Sequence, residues 1–209
     1  WNLLNSTTSE SEFANVMRIV VDPEDPDLAL VATRVDLRID VPEDSPEIVS
    51  HLLKTVNGGD TWEIVYQTED TEAGVFGPAI QHIVADPSDL NLLYASIRSS
   101  GIIRSTDRGE NWELVFEADG IGRMELAVSP SYPDYVYFAA ESDAGSALYL
   151  SRDGGDNWKQ VRVSFGNWLS GQGWYDNTIA VHPFDSNEVF VAGAGPMLNI
   201  SVNIDTSAL

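Results

Sequence analysis

Residues 151–158 read Ser151-Arg152-Asp153-Gly154-Gly155-Asp156-Asn157-Trp158. The same pattern, Ser/Thr-x-Asp/Asn-x-Gly-x-x-Trp, recurs at residues 105–112 and 55–62, and a degenerate copy starts at Ser201. Its chemistry is that of a hairpin turn, because the Asp or Asn side chain accepts backbone N–H groups and glycine takes a positive φ. The tryptophan then anchors the turn on the core. We call the three intact segments the box turns, and their predicted structural residues are Asn57, Gly59, Trp62, Asp107, Gly109, Trp112, Asp153, Gly155 and Trp158.

A second motif precedes each box turn and consists of a short apolar run, a proline turn and another β-rich run. Its four copies start at Ile19, Ile83, Leu126 and Ile179. Proline fixes φ and cannot donate to a strand ladder, so it ends the first strand where the turn begins. The alternation of the two motifs predicts four all-β units, each built from strands joined by tight turns.

Together the two motifs resemble the Asp-box (BNR) repeat family, which includes sialidases, sortilin-type receptor domains, xyloglucan-cleaving hydrolases and photosystem II assembly factors. The resemblance covers nearly the whole chain. It implies an all-β fold, a β-propeller or propeller segment of about four four-stranded antiparallel blades with Asp-box turns. The box tryptophans recur about every 50 residues, a length that suits a propeller blade.

We expect residues 1–209 to form a single propeller segment cut from a larger propeller. The first residues, Trp1-Asn2-Leu3-Leu4, have the form of the strand that follows a box turn, which predicts that the chain starts inside a blade. The alternative is a complete four-bladed ring, since closure removes open sheet edges.

Charge and composition limit the classes of partner that the chain is expected to bind. The chain has 33 Asp and Glu against 11 Lys and Arg, a net charge of −22 that repels phosphate backbones and anionic lipid. It has no cysteine and only three histidines, which excludes disulfides and argues against a zinc site. No apolar stretch is long enough to span a bilayer. The predicted partners are therefore a glycan or protein ligand, with no nucleic acid and no membrane insertion, and further blades of a longer chain or a second subunit.

The loops of a blade alternate between two faces. The proline turns and the box turns lie on one face, and the remaining connections lie on the other, which is the ligand face in the resembling families. One ligand-face loop, residues 162–177, combines glycines with aromatic side chains, and aromatic walls with convergent polar groups are typical of a ligand site. The alternative is that these aromatics pack between blades or plug the channel mouth. The predicted ligand-binding residues are Trp168, Trp174, Tyr175, Asp176 and Asn177.

A second ligand-face loop, residues 34–50, is an acidic insertion. Its carboxylates, Asp36, Asp40, Glu43, Asp44 and Glu47, are clustered oxygen ligands of the kind that calcium prefers, so residues 36–47 are a candidate calcium or partner-binding flap. A solvated acidic hairpin is the alternative reading, because no EF-hand spacing is present. No other cofactor is predicted.

Catalytic residues are harder to assign. Glycoside hydrolysis normally uses two carboxyl groups across the scissile bond, and many acids lie on the ligand face, so no pair stands out. Asp176 is the only candidate that we single out. Resemblance to sialidases would need an arginine triad and a proline after Met17-Arg18-Ile19, and position 20 is Val20. His182 occupies the Asp position of its repeat, which predicts a role in a turn.

The function predicted first is an extracellular or cell-surface module that binds a glycan or protein through its ligand-face loops. The alternative is part of a carbohydrate-active glycoside hydrolase of the xyloglucanase or sialidase-like propeller type; if the chain is an enzyme, this is the expected class. A third interpretation, an assembly factor like those of photosystem II, fits the repeats but lacks a basic patch for docking.

Overall fold

The computed structural model describes residues 4–8, 11–13, 15–34, 49–68 and 78–202. These residues form four antiparallel sheets in two compact units, Trp1–Asp119 and Gly120–Leu209. Each sheet pairs strands that are consecutive in the chain, so no crossover is needed. The prediction of an all-β propeller segment built from antiparallel blades is confirmed.

The first unit contains two short 3-10 helices and two four-stranded blades. The helices are Asn5–Thr7 and Ser11–Phe13. The first blade consists of β1 (Val16–Val21), β2 (Ala29–Thr33), β3 (His51–Thr55) and β4 (Glu63–Gln67). The second blade consists of β5 (Ile80–Asp86), β6 (Asp89–Ile97), β7 (Gly101–Ser105) and β8 (Glu113–Glu117). No helix in the described ranges has the length and apolar character needed to cross a membrane.

The second unit contains the other two blades. The third blade consists of β9 (Ile121–Val128), β10 (Val136–Ser142), β11 (Gly145–Ser151) and β12 (Lys159–Val161). The fourth blade consists of β13 (Asn177–His182), β14 (Asp185–Gly193) and β15 (Leu198–Ser201). Three strands of this blade fall within the described residues, and residues 203–209, which contain most of its degenerate turn, lie outside them.

The box turns are held by hydrogen bonds within eight residues of chain. The Ser105 hydroxyl donates to Asp107 Oδ1 at 2.8 Å and accepts the N–H of Gly109 at 2.9 Å. The Asp107 carboxylate accepts both the backbone N–H and the side-chain amide of Asn111, at 2.9 and 2.7 Å. These bonds from Asn111 lower the pKa of Asp107 from 3.8 to about 2. Residues 151–157 repeat the arrangement, and residues 55–61 repeat it with threonine and asparagine.

The proline turns are also closed by their own side chains. Asp22 Oδ1 accepts the N–H of Glu24 at 2.9 Å, and Asp86 Oδ1 accepts that of Ser88 at 2.8 Å. In the fourth copy His182 Nδ1 accepts the N–H of Phe184 at 3.3 Å, so the imidazole takes the position of the carboxylate in the turn.

Each unit has a core between its two sheets. In the first unit, buried side chains of β2 pack on buried side chains of β5, β6 and β7. Leu30 lies so close to the box turn of the second blade that a Cβ atom on Gly109 would come within 2.5 Å of Leu30 Cδ2. Glycine is therefore needed at position 109 both for its φ of 79° and for this contact. In the second unit, β10 and β11 pack on β13 and β14.

Candidate ligand-binding site

The aromatic loop, residues 162–177, joins β12 to β13 in the second unit and is pinned by backbone hydrogen bonds. The carbonyl of Trp168 accepts the N–H of Gly195 at 2.8 Å. The carbonyl of Gln172 accepts the N–H groups of Tyr175 and Asp176, at 2.9 and 2.7 Å. Residues 172–176 therefore form a fixed turn, and the loop presents its last aromatic side chains from a defined backbone.

Two glycines allow this loop to lie directly on the strands below it. A Cβ atom on Gly173 would come within 2.9 Å of Glu141 Cβ on β10, and one on Gly195 within 2.6 Å of the Trp168 carbonyl oxygen. A polar link adds to this packing, since the Ser146 hydroxyl donates to Asn167 Oδ1 at 2.9 Å and accepts the N–H of Leu169 at 3.0 Å.

Two of the five predicted ligand-binding residues are buried. Trp168 is 0 % exposed and belongs to the core of the second unit, together with Leu169. Asn177 is the first residue of β13, and its buried side-chain amide donates to the Ala139 carbonyl at 2.9 Å. In this structure both side chains hold the loop to the blade, and ligand binding by either of them stays a prediction.

The other three predicted residues lie together on the outside of the loop. Trp174 is 46 % exposed and Tyr175 is 65 % exposed. Their ring centroids lie 5.6 Å apart with the planes tilted by 46°, so the rings form a bent apolar surface. Asp176 follows directly in the chain and is half-buried. We call Trp174, Tyr175 and Asp176 the exposed triplet; ligand binding by this triplet stays a prediction.

The strands beneath the loop carry further charged side chains. Glu141, half-buried under Gly173, accepts the backbone N–H of Arg123 through Oε2 at 3.5 Å. Arg123 Nη2 lies 2.5 Å from Oε1 of Glu125, a carboxylate that is almost completely buried. The Arg123 guanidinium thus pairs with Glu125, whereas Glu141 is contacted by the Arg123 backbone.

Sequence reasoning singled out neither Glu141 nor the pair of Arg123 and Glu125. Their spacing of two residues carries a signal, because residues two apart in a strand lie on the same face of the sheet.

A polar groove adjoins the start of the aromatic loop. It has a volume of about 360 Å³ and is lined in part by Ser146, Gln160, Arg162 and Phe165. A recess therefore lies along β11 and β12, beside the first residues of the loop.

The predicted acidic flap, residues 36–47, lies outside the described residues. Within the residues that the structure describes, no three His, Asp or Glu side chains are grouped so as to hold a metal ion. The calcium prediction concerns residues outside the described ranges and stays a prediction.

Comparison with known proteins adds three relationships. The xyloglucanase of Hypocrea jecorina (strain QM6a) is 32% identical over 126 residues, which cover 52% of this chain and 15% of that protein. The xyloglucanase Xgh74A of Acetivibrio thermocellus is 25% identical over 175 residues, which cover 73% of this chain and 20% of that protein. The crystal structure of an ancestral GH74 enzyme aligns with a TM-score of 0.58 at 15% identity, over 91% of this chain and 26% of that one.

This chain spans about a fifth or less of the length of these two curated relatives. The structural likeness shows a shared fold, in agreement with the propeller blades described above. The family model described as Sortilin, neurotensin receptor 3 (Sortilin-Vps10) matches residues 50–192, which is more than half of the chain. That match runs from the third strand of the first blade into the fourth blade and includes all three box turns, and the chain belongs to the Sortilin-Vps10 family.

Proposed function

We propose that this chain is the glycan-contacting part of a glycoside hydrolase of the xyloglucanase type. The observation that carries the proposal is the exposed triplet, in which the two tilted rings of Trp174 and Tyr175 stand beside the Asp176 carboxylate. The apolar faces of sugar rings stack on aromatic surfaces of this kind, and the neighbouring carboxylate accepts hydrogen bonds from sugar hydroxyls.

Charge supports a neutral polysaccharide as the ligand. A net charge of −22 repels anionic glycans, whereas the β-glucan backbone of xyloglucan carries no charge. The similarity to proteins named xyloglucanases points to the same substrate class. Because such polysaccharides occur outside the cell, we also propose an extracellular location.

Trp174→Ala is expected to weaken the binding of a xyloglucan oligosaccharide to this chain by about tenfold or more, which corresponds to about 1.4 kcal/mol or more. Isothermal titration calorimetry with a xyloglucan heptasaccharide measures the change. Binding is expected to weaken because the substitution removes one of the two ring surfaces and leaves the loop backbone in place.

Phe184→Ala is the matched control for this experiment. Phe184 is 87 % exposed and lies in the proline turn of the same unit, on the face opposite the ligand loops. Its removal is expected to leave affinity unchanged, and both variants are expected to melt within a few degrees of the wild type. Equal affinities for wild type and Trp174→Ala would reject the aromatic loop as the glycan site.

Asp176 is the carboxyl group that we propose for catalysis in the protein that carries this sequence. General acid or base action by such a group contributes about 10²- to 10⁴-fold to the rate. Asp176→Asn is therefore expected to lower the release of reducing ends from xyloglucan by about 100-fold or more, with little change in affinity. A reducing-sugar assay on the full-length protein tests this, and an undiminished rate would remove Asp176 from the catalytic machinery.

A binding module without catalysis is the second candidate, favoured by the family match to a receptor-type propeller. It shares the exposed triplet with the first proposal. Binding of xyloglucan with no release of reducing ends by the full-length wild-type protein would favour the module over the hydrolase.

A further inference from the structure

The polar groove beside the start of the aromatic loop is a surface that the proposed function does not use. We call it the edge groove, and it is lined by residues 146–148 of β11 and by residues 160–163, 165 and 166. Its volume of about 360 Å³ lies within the range of small-ligand sites and suits a small part of a glycan. The groove lies where β11 starts and β12 ends, which is the ligand-face end of the third blade.

The edge groove opens where the third blade departs from the strand register of the first two blades. In the second blade the pairing of the outer strand skips Val115 as a bulge and continues to Phe116. The first blade has the same bulge, at Val65. In the third blade the pairing contains no bulge and ends at Val161. The next residue, Arg162, therefore lies outside the ladder and lines the groove.

Arg162 also departs from the amino-acid pattern of the repeat. It stands four residues after the box tryptophan of its blade, a position that Tyr66 and Phe116 hold in the first and second blades. Those two aromatic side chains are half-buried, whereas Arg162 is exposed. In the third blade a cation at the groove has thus taken the place of an aromatic side chain that packs in the ladder.

No acidic side chain of the described residues neutralises Arg162. No hydrogen bond or ion pair joins its guanidinium to another described residue, and no Asp or Glu lines the edge groove. Glu141 is the nearest acid by register, since it pairs with Ser146, but its Oε2 accepts the backbone N–H of Arg123 and lies beside Gly122. Other basic side chains do pair with acids: Lys54 with Glu110, Arg104 with Glu113, Arg108 with Asp22 and Arg123 with Glu125.

This arrangement favours a ligand that brings its own negative charge. The chain has 33 Asp and Glu against 11 Lys and Arg, so an arginine at a groove without a carboxylate stands out against the rest of the molecule. A guanidinium donates two parallel hydrogen bonds to a carboxylate. One arginine balances the single charge of a carboxylate, whereas a phosphate group carries a charge of about −1.5 to −2 at neutral pH.

The other side chains of the edge groove suit a sugar ring. Phe165 is 47 % exposed and offers an apolar surface on which the face of a sugar ring can stack. Gln160 is exposed and lies two residues before Arg162, so the two side chains leave the chain on the same side. Its amide can both donate to and accept from sugar hydroxyls.

We infer that the edge groove binds a uronic acid unit of a glycan, with Arg162 on its carboxylate, Phe165 against its ring and Gln160 on its hydroxyls. The net charge of −22 disfavours polyuronates. A single uronate on an otherwise neutral glycan is compatible with that charge, because salt at about 0.15 M screens exposed charges that lie more than about 8 Å away. The edge groove and the exposed triplet belong to opposite ends of the aromatic loop, and the inference does not rest on the proposed function.

Isothermal titration calorimetry of the 209-residue chain with two matched disaccharides tests the inference. Cellobiouronic acid differs from cellobiose in one group, a carboxylate in place of a hydroxymethyl group. At neutral pH and about 0.15 M NaCl, the wild type is expected to bind the acid about tenfold or more tightly than cellobiose, because the acid pairs with the guanidinium. Arg162→Gln is expected to remove this preference and to leave the affinity for cellobiose unchanged. Phe165→Ala is expected to weaken the binding of both sugars by the same factor.

Lys159→Gln is the matched control, because it removes the same charge at an exposed position of β12 that does not line the edge groove. It is expected to keep the preference of the wild type. Trp174→Ala is expected to keep it as well, which distinguishes the edge groove from the exposed triplet. Circular dichroism melting verifies that the Arg162→Gln chain is folded.

Four results would overturn the inference. They are equal affinities of the wild type for the two disaccharides, equal losses in Lys159→Gln and Arg162→Gln, loss of the preference in Trp174→Ala, and Arg162-dependent binding of acetylated tetra-alanine that is tighter than that of cellobiouronic acid. The last result would make the groove a site for a peptide carboxylate. A failure to bind the xyloglucan heptasaccharide would, in contrast, reject the proposed function and leave this inference standing.

Discussion

Trp168→Ala is expected to lower the free energy of unfolding of the second unit by about 3–5 kcal/mol, the range found when a large aromatic side chain is removed from a core. Trp168 is among the largest fully buried side chains of the described chain. It packs in one cluster with Tyr137, Leu148 and Val191. Its removal leaves a cavity between the third and fourth blades that the pinned aromatic loop cannot fill by collapsing.

Urea unfolding at neutral pH, followed by circular dichroism, measures this change. Trp174→Ala is the matched control, because the same substitution six residues later affects a half-exposed ring and is expected to cost about 1 kcal/mol or less. Comparing the two variants also distinguishes a tryptophan that stabilises the core from one that contacts the glycan. If Trp168→Ala were as stable as the wild type and bound glycan poorly, the side chain would be a ligand contact and its burial would have to open in solution.

Gly101→Ala is expected to destabilise the first unit by about 3 kcal/mol or more. Gly101 starts β7 with a φ of 150°, and a Cβ atom there would lie 1.9 Å from the carbonyl oxygen of Phe116 on β8. The obstacle is backbone of the paired strand, so no side-chain rotation relieves it. Both the unfavourable φ and the forced separation of β7 from β8 add to the cost.

Gly166→Ala provides the control for this substitution. Nothing lies within 4 Å of a Cβ at position 166, which is in the exposed part of the aromatic loop. We expect its free energy of unfolding to stay within about 0.5 kcal/mol of the wild type. A Gly101→Ala protein with the same urea midpoint as Gly166→Ala would show that the β7–β8 pair tolerates a side chain at this position.

The fold is predictable from the sequence because its turns are made by side chains that act locally. Ser105, Asp107 and Gly109 close a turn whose hydrogen bonds all lie within seven residues. The amino-acid types in this short segment therefore determine the conformation of the turn. The turn role of His182, which stands where the other repeats have the turn carboxylate, can be predicted from the sequence for the same reason. The turns fix the register in which neighbouring strands pair, and the paired strands form the blades.

The candidate site is less predictable because exposure in a loop depends on distant strands. Trp168 and Trp174 stand in similar glycine-rich surroundings in the sequence, yet one lies in the core and the other on the surface. Trp168 packs against strands of both blades of the unit, and its carbonyl accepts the N–H of Gly195, 27 residues away in the chain. No periodicity within the loop encodes such a contact. Asn177 is buried for a related reason, since Ala139 on another blade accepts its amide.

The box turns described above also bear on the order in which the protein folds. Each hairpin closes a short loop, and each sheet joins only strands that are neighbours in the chain, so little conformational entropy is lost before contacts form. A blade can therefore assemble as soon as its own residues have left the ribosome, without waiting for the rest of the polypeptide. During translation the blades are then expected to fold in the order of the chain, and each folded sheet provides a surface against which the next sheet packs.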